Sequence, residues 1–481
     1  MRARYITTTL PYVNADPHVG FALEAVQADV CARTKRLSGA NVFFSTGTDE
    51  HGQKIYESAQ KAGQDVHEYV DHYAVEFQKL KEALNLSNDT FIRTTDPEHI
   101  TAAQEMWRRC NAAGDIYKKA YTGLYCIGCE SFKTDKEIVD GKCPLHPILT
   151  PENISEENYF FRFSKYQEQL LTYLERPGVI IPEWRRLEAV AFVKGGLEDF
   201  SISREKKRLS WGIPVPDDET QVMYVWFDAL TNYISTLGWP ANERGNFKKF
   251  WEEGSVLQVA GKDQVRFQSL MWQAMLMSAH IKTSDTVFYH GFITSNGQKM
   301  SKSLGNVINP LELVATYGTD AVRYVLLRHV SPFEDSDLTR AAIHDHYTAH
   351  LTNGLGNLVA RVMKLCEDNL DAPITVPEKM QGIEEITTDL NNFAFNTALD
   401  RIFALIAAAD ERITKEEPFK VVKSDPVRGK EMLAALATEV WNIGRLLAPF
   451  MPSTSETIVK AVLENKKPEN LFPRLSAPVG V

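Results

Sequence analysis

The chain has 481 residues, 44% hydrophobic and 24% charged, with a formal net charge of -10. That is too long for one hydrophobic core and ordinary for a soluble globular protein of about three domains, which excludes disordered and fibrous classes. No run offers the roughly 18 uninterrupted apolar residues of a membrane span, and Met1 to Asn14 lacks the apolar core of a secretion signal, so a cytoplasmic protein without a membrane partner is expected.

Arg4 to Leu10 read as a buried strand, followed by a Pro/Asn/Asp turn and a helix predicted from Val19 to Leu37, stopping at Gly39. Asn41 to Thr46 supplies a second apolar strand. The chain therefore opens as a βαβ unit with a loop at the carboxyl end of its first strand, where nucleotides bind in such sheets. From residue 114 the pattern breaks into short irregular pieces that end near Pro216, and apolar runs then resume at Gln221 to Phe227, Val256 to Ala260 and Val287 to His290. These runs are expected to complete a parallel sheet. The predicted fold is thus α/β, a Rossmann-type parallel-sheet domain in two halves, 1–113 and 216–290, split by an insertion at 114–215. A short region, 291–340, precedes a tail in which strand signals vanish. Ile343, Tyr347, Leu351, Leu355, Val359, Val362 and Cys366 keep a helical period, which returns in Leu390 to Ile406 and Met432 to Met451, so 341–481 reads as a helix bundle.

Six cysteines are too few for a disulfide framework, and three of them cluster in the insertion. Cys126-x-x-Cys129 followed by Cys143-x-x-His146 makes two hooks of soft and borderline ligands, the set tetrahedral zinc prefers, with Gly128 and Pro144 placed for tight turns. Four protein ligands leave no open position, so one structural zinc is expected. The acidic balance argues mildly against a nucleic-acid partner, but a basic face on an acidic body suffices for one.

Two elements carry the chemistry. Lys299, Met300, Ser301, Lys302 and Ser303 form a lysine-serine loop after Gly297, and Pro17, His18, Val19 and Gly20 open the first helix, whose amino terminus favours anions. Taken singly, the first reads as a solvated loop and the second as a helix cap. Taken together, they resemble the split signatures of a class I aminoacyl-tRNA synthetase. Their flanks (Gly291, Phe292, Ile293; Leu304, Gly305, Asn306), with Leu10, Pro11, Tyr12, Asn14 and the run Gly47, Thr48, Asp49, Glu50, His51, Gly52, resemble the methionyl-tRNA synthetase family in particular.

The resemblance implies a ligase that activates L-methionine with ATP and Mg and transfers it to methionine tRNA, elongator and initiator, by way of methionyl-adenylate. Positioning and electrostatic stabilisation carry such chemistry, and no protein nucleophile is needed. By the same resemblance His18, Lys299 and Lys302 are catalytic, Gly20, Gly261 and Asp263 join them in binding ATP, and residues 291–340 contact the tRNA stem. Leu10, Tyr12, Asp49, Trp226, Ala229, Tyr233 and Gln268 would bind methionine, with Asp49 meeting the amine and the rings forming the walls. The insertion would lie over the acceptor end of tRNA, while Asn357, Arg361 and Phe419 of the bundle would read the anticodon. A monomer is expected because the chain ends soon after the bundle.

The chain also departs from the family pattern. Phe21 stands where the amino-terminal signature has a second His. If nothing replaces that residue, a lost charge-assisted hydrogen bond of about 1.5 to 3 kcal/mol slows activation by about 10 to 100-fold. Leu230, Gln264 and Gln268 replace Pro, Ile and His, and Gln264 is expected to add an amide to an apolar wall. Phe419 stands for a stacking Trp. A second function therefore stays open, a tRNA-binding paralogue with weakened activation, although the retained His18, Asp49, Lys299 and Lys302 favour the ligase. A ligase for leucine or valine is disfavoured because 114–215 leaves little room for a large editing domain.

Overall fold

The computed structural model describes residues 2–128, 131–133, 137–144, 149–300 and 306–476. By its contacts the chain divides into two compact units, Met1–Pro17 with Gly39–Lys79 and Asn88–Tyr289, and His18–Ser38 with Leu80–Ser87 and His290–Val481.

The first unit is built on a six-stranded sheet. Its strands are β1 (Arg4–Thr8), β2 (Val42–Thr48), β3 (Thr90–Arg93), β4 (Ile180–Ile181), β5 (Ser255–Gly261) and β6 (Thr286–His290), in the order β3-β2-β1-β5-β6-β4. β1 pairs in parallel with both β2 and β5. The apolar runs buried on both faces of this sheet make it parallel and central, as continuous hydrophobic strands do. Gly47 admits the close approach of β2 and β3, since a Cβ there would fall 1.9 Å from the Ile92 carbonyl oxygen. One expected strand is not in this sheet. Gln221 to Phe227 divides into a strand, Asp218–Met223, that pairs antiparallel with Pro214–Val215 and Ser203–Glu205, and a helical turn, Val225–Ala229. Conversely, β3 and β4 were too short to stand out from the sequence.

Within 114–215 lies a four-stranded antiparallel sheet led by the long pair Ile116–Cys126 and Glu152–Phe161, while Ile180–Ile181 of the same stretch joins the central sheet. In the second unit α1 (Val19–Leu37) has the bounds that its periodicity predicts. Its Asp29 is buried against Arg323 at 2.7 Å, with Arg33 at 2.8 Å. Helices Arg340–His346, Tyr347–Gly356 and Asn357–Asn369 follow without interruption, and all seven apolar positions from Ile343 to Cys366 are buried. Helices Phe395–Glu416, Pro426–Leu446 and Pro452–Leu463 complete the bundle. No helix among the described residues is long and apolar enough to cross a membrane.

Candidate active site

β1 ends at Thr8, but the chain stays extended alongside the end of β2. The Asp49 amide donates to Pro11 O at 2.9 Å and the Val13 amide to Asp49 O at 3.2 Å, so Tyr12 and Asp49 are bridged side by side. Asp49 is 1% exposed and Leu10 is buried. Trp226 meets Tyr12 edge-on, with centroids 5.9 Å apart and planes at 71°, and stacks on Phe267 at 4.1 Å and 15°. The next residue, Gln268, is 1% exposed. Among the described residues no group hydrogen-bonds its side-chain amide or the Trp226 indole N–H. Unmet buried polar groups of this kind cost about 1 to 3 kcal/mol each and call for an explanation. Ala229 and Tyr233 are buried on two successive helical turns, Val225–Ala229 and Asn232–Ser235, with Tyr233 packed on Trp272 at 5.8 Å.

A buried polar network holds Asp49 in place, and it escaped the sequence reading. Glu50 accepts Thr48 Oγ1 at 2.6 Å, Thr95 Oγ1 at 2.6 Å and a bidentate pair from Arg93 at 2.7 and 2.8 Å, while its carbonyl accepts Trp211 Nε1 at 2.6 Å. His51 Nδ1 lies 2.8 Å from Asp228 Oδ2, and His99 Nε2 lies 2.7 Å from Asp228 Oδ1. Burial pushes the Asp228 carboxyl up, but the two imidazoles outweigh it and hold the group below its usual value. Asp228 thus fastens the turn carrying Trp226 and Ala229 to the loop carrying Asp49. The available signal was the run Asp49, Glu50, His51 at the end of an apolar strand, three ionisable groups where only paired ones can be buried.

At the end of β5, Gly261 leads into the turn Lys262–Gln264 with Asp263 exposed. Gln264 Nε2 donates to Asp263 Oδ2 at 3.2 Å. The glutamine amide therefore addresses the neighbouring carboxylate, contrary to the expectation that it would add polarity to an apolar wall.

In the second unit His18 caps α1. Its Nδ1 accepts the Gly20 amide at 3.0 Å, which requires a lone pair there and places the ring proton of the neutral imidazole on Nε2. A Cβ on Gly20 would sit 2.8 Å from His18 Cε1, so only glycine leaves room for this fold-back. Phe21 stacks on the His18 ring at 4.3 Å and 28°. The residue that departs from the family signature thus packs against the face of the histidine. Gln298–Lys299 forms a hairpin with Ile293–Ser295, and the Gly297 amide donates to Asp337 Oδ1 at 2.7 Å within the turn. Lys302 lies outside the described residues.

Of the metal hooks, Cys126 and Cys143 are each 1% exposed. Cys126 closes the long insertion strand opposite Ser131, and the tight Val139–Lys142 turn delivers Cys143. Two buried soft donors at turns suit a thiophilic metal. Cys129 and His146 lie outside the described residues. In the bundle Asn357 is exposed and Arg361, one turn later, pairs with Asp410 at 2.7 Å. Phe419 is 36% exposed on a separate helix, Pro418–Ser424.

A family model described as tRNA synthetases class I (M) matches residues 4–148 and 145–363. A methionine-tRNA ligase of Brucella suis biovar 1 is 40% identical over 472 residues, 95% of this chain and 90% of that protein. One from Caldanaerobacter subterraneus is 41% identical over 467 residues, 94% of this chain and 72% of that protein. Among solved structures, the Mycobacterium tuberculosis methionyl-tRNA synthetase in complex with methionyl-adenylate is similar with a TM-score of 0.90 and 36% identity, covering 99% of both chains. With a nucleotide-type parallel sheet, a buried acid beside an aromatic wall and this extent of similarity, the chain belongs to the methionyl-tRNA synthetases, a family of class I aminoacyl-tRNA ligases.

Proposed function

We propose that the chain joins L-methionine to methionine tRNA with ATP, through methionyl-adenylate. The observation that carries the reading is Asp49, buried beside the Tyr12–Trp226 wall, with the Trp226 N–H and the Gln268 amide buried and unmet among the described residues. A free amino acid with an ammonium, a carboxylate and a thioether answers this combination. Asp49 takes the ammonium. Leu10, Tyr12, Trp226, Ala229 and Tyr233 enclose the side chain, where sulfur-aromatic contact contributes about 0.3 to 1.5 kcal/mol. Gln268 supplies the hydrogen bonds a more polar ligand atom needs.

In the first step a methionine carboxylate oxygen attacks the α-phosphorus of ATP, the bond to the bridging oxygen breaks, and pyrophosphate leaves with Mg. His18 donates through Nε2 to phosphate, Lys299 and Lys302 offset the charge that grows on it, Gly20 and Gly261 let the nucleotide approach, and Asp263 accepts from the ribose hydroxyls. In the second step the 2′-hydroxyl of the terminal tRNA ribose attacks the acyl carbon and AMP departs. Domain roles follow as 1–113 and 216–290 catalytic, 114–215 connective, 291–340 stem-contacting and 341–481 anticodon-binding, with Asn357, Arg361 and Phe419 meeting splayed bases of elongator and initiator methionine tRNA. Cys126, Cys129, Cys143 and His146 would hold one structural zinc. The chain acts as a cytoplasmic monomer, which sedimentation at low micromolar concentration tests.

Methionine-dependent ATP-pyrophosphate exchange decides the main reading. Exchange with methionine well above that with isoleucine, leucine, valine and norleucine is expected. No exchange with any amino acid in folded protein would overturn it.

A further inference from the structure

The second unit holds a cluster that neither the sequence reading nor the proposed reaction uses. His346 and His350 lie four residues apart in the uninterrupted helical run that starts at Arg340, so their side chains share one face. His329 follows the end of the helix Thr319–Arg328 and stacks on His346 with ring centroids 3.5 Å apart and planes at 3°. Each of the three offers a ring nitrogen within 4.8 Å of the others', and all three are half-buried.

From this geometry we propose that His329, His346 and His350 bind one divalent transition-metal ion of the zinc class, separate from the cysteine hooks, which clips the helix Thr319–Arg328 to the helix starting at Arg340. Paired histidines at i and i+4 with a third imidazole from a neighbouring element are a common zinc donor set. Tetrahedral zinc with Zn–N of about 2.0 to 2.1 Å holds its nitrogens about 3.4 Å apart with the ion in the plane of each imidazole, so the three rings, stacked within 17° of parallel, must turn out of their stack about χ2 to close the site. The Tyr324 hydroxyl lies 3.0 Å from His329 Nε2 and 2.8 Å from His350 Nδ1, and accepts from Arg328 at 2.8 Å, while Arg328 is tied to Asp400 at 2.8 Å.

The test counts metal in the full chain, stripped with chelator, re-equilibrated with micromolar zinc and desalted, for the wild type, His346→Gln, His350→Gln and Cys126→Ser. Two zinc ions in the wild type and one in each variant are expected. One in the wild type and none in the histidine variants also supports the trio, and refutes the cysteine site alone. Equal counts in the wild type and the histidine variants overturn the trio. A second readout does not depend on how the variants fold. Cobalt added to wild-type protein whose cysteine site is already filled should give a nitrogen-ligand spectrum without thiolate charge-transfer bands, and absence of any such spectrum rejects the proposal.

Discussion

Asp228→Asn isolates the network beneath the amino-acid pocket. The wild-type carboxylate is buried and receives two imidazoles, at 2.8 and 2.7 Å. Asparagine keeps the volume but removes the charge, and its amide nitrogen faces one of the two rings, which must change tautomer; Ser235 Oγ, 2.9 Å from His99 Nδ1, can turn its hydroxyl to permit this. Two charge-assisted bonds of about 1.5 to 3 kcal/mol each become neutral bonds of about 0.5 to 1.5, a loss of about 2 to 3 kcal/mol. Denaturant unfolding followed by tryptophan fluorescence measures this loss. Because Asp228 joins the Trp226 turn to the Asp49 loop, KM for methionine in pyrophosphate exchange should rise by about 10-fold or more, with kcat less affected. The pH dependence has a definite sign. A carboxyl held below its ordinary value of 3.8 stabilises the fold above that pH, and the advantage of wild type over variant should persist at neutral pH and fade as pH drops below about 3.8. Wild-type stability and an unchanged KM in the variant would refute the positioning role.

Asp49→Asn removes the acid proposed to meet the methionine ammonium, and exchange should fall by about 100-fold or more, mostly in KM, as expected when one partner of a buried charge pair is lost. Phe21→Ala deletes the ring stacked on His18; at about 0.5 to 1.5 kcal/mol for such a stack, kcat for exchange should drop by about 2 to 12-fold with KM for methionine unchanged, and a rate equal to wild type would show that the stack does not orient His18. Arg361→Ala should leave exchange, which needs no tRNA, as it is and reduce tRNA charging by about 10-fold, whereas a parallel loss of both would point to bundle packing through Asp410 instead. In the second unit Asp29→Asn leaves Arg323 buried without its 2.7 Å partner and should cost about 3 to 5 kcal/mol in unfolding, a loss that calorimetry detects as an earlier transition.

Signals that live within a few residues were legible in the sequence. The bounds of α1 follow from apolar content, the break at Gly39 and a capping His18. The helical period from Ile343 to Cys366 predicted seven buried positions because a single helix places them on one face. The signature segments around His18 and Asp49 indicated the family because each is continuous in the chain. What tertiary structure alone decided is non-local. Gln221 to Phe227 has the composition of a central strand, yet only its first three residues are in a strand, and that strand pairs with its neighbours in sequence, since apolar content marks burial and does not choose a partner. Phe21 and Gln264 read as losses in the sequence, whereas the fold gives them neighbours, a stacked His18 and a hydrogen-bonded Asp263. Asp228, His51 and His99 come from three distant segments, and His329 joins His346 and His350 only when two helices pack. An ionisable group can be buried only where another segment satisfies it, so its role is set by the folded arrangement and not by its own stretch of chain.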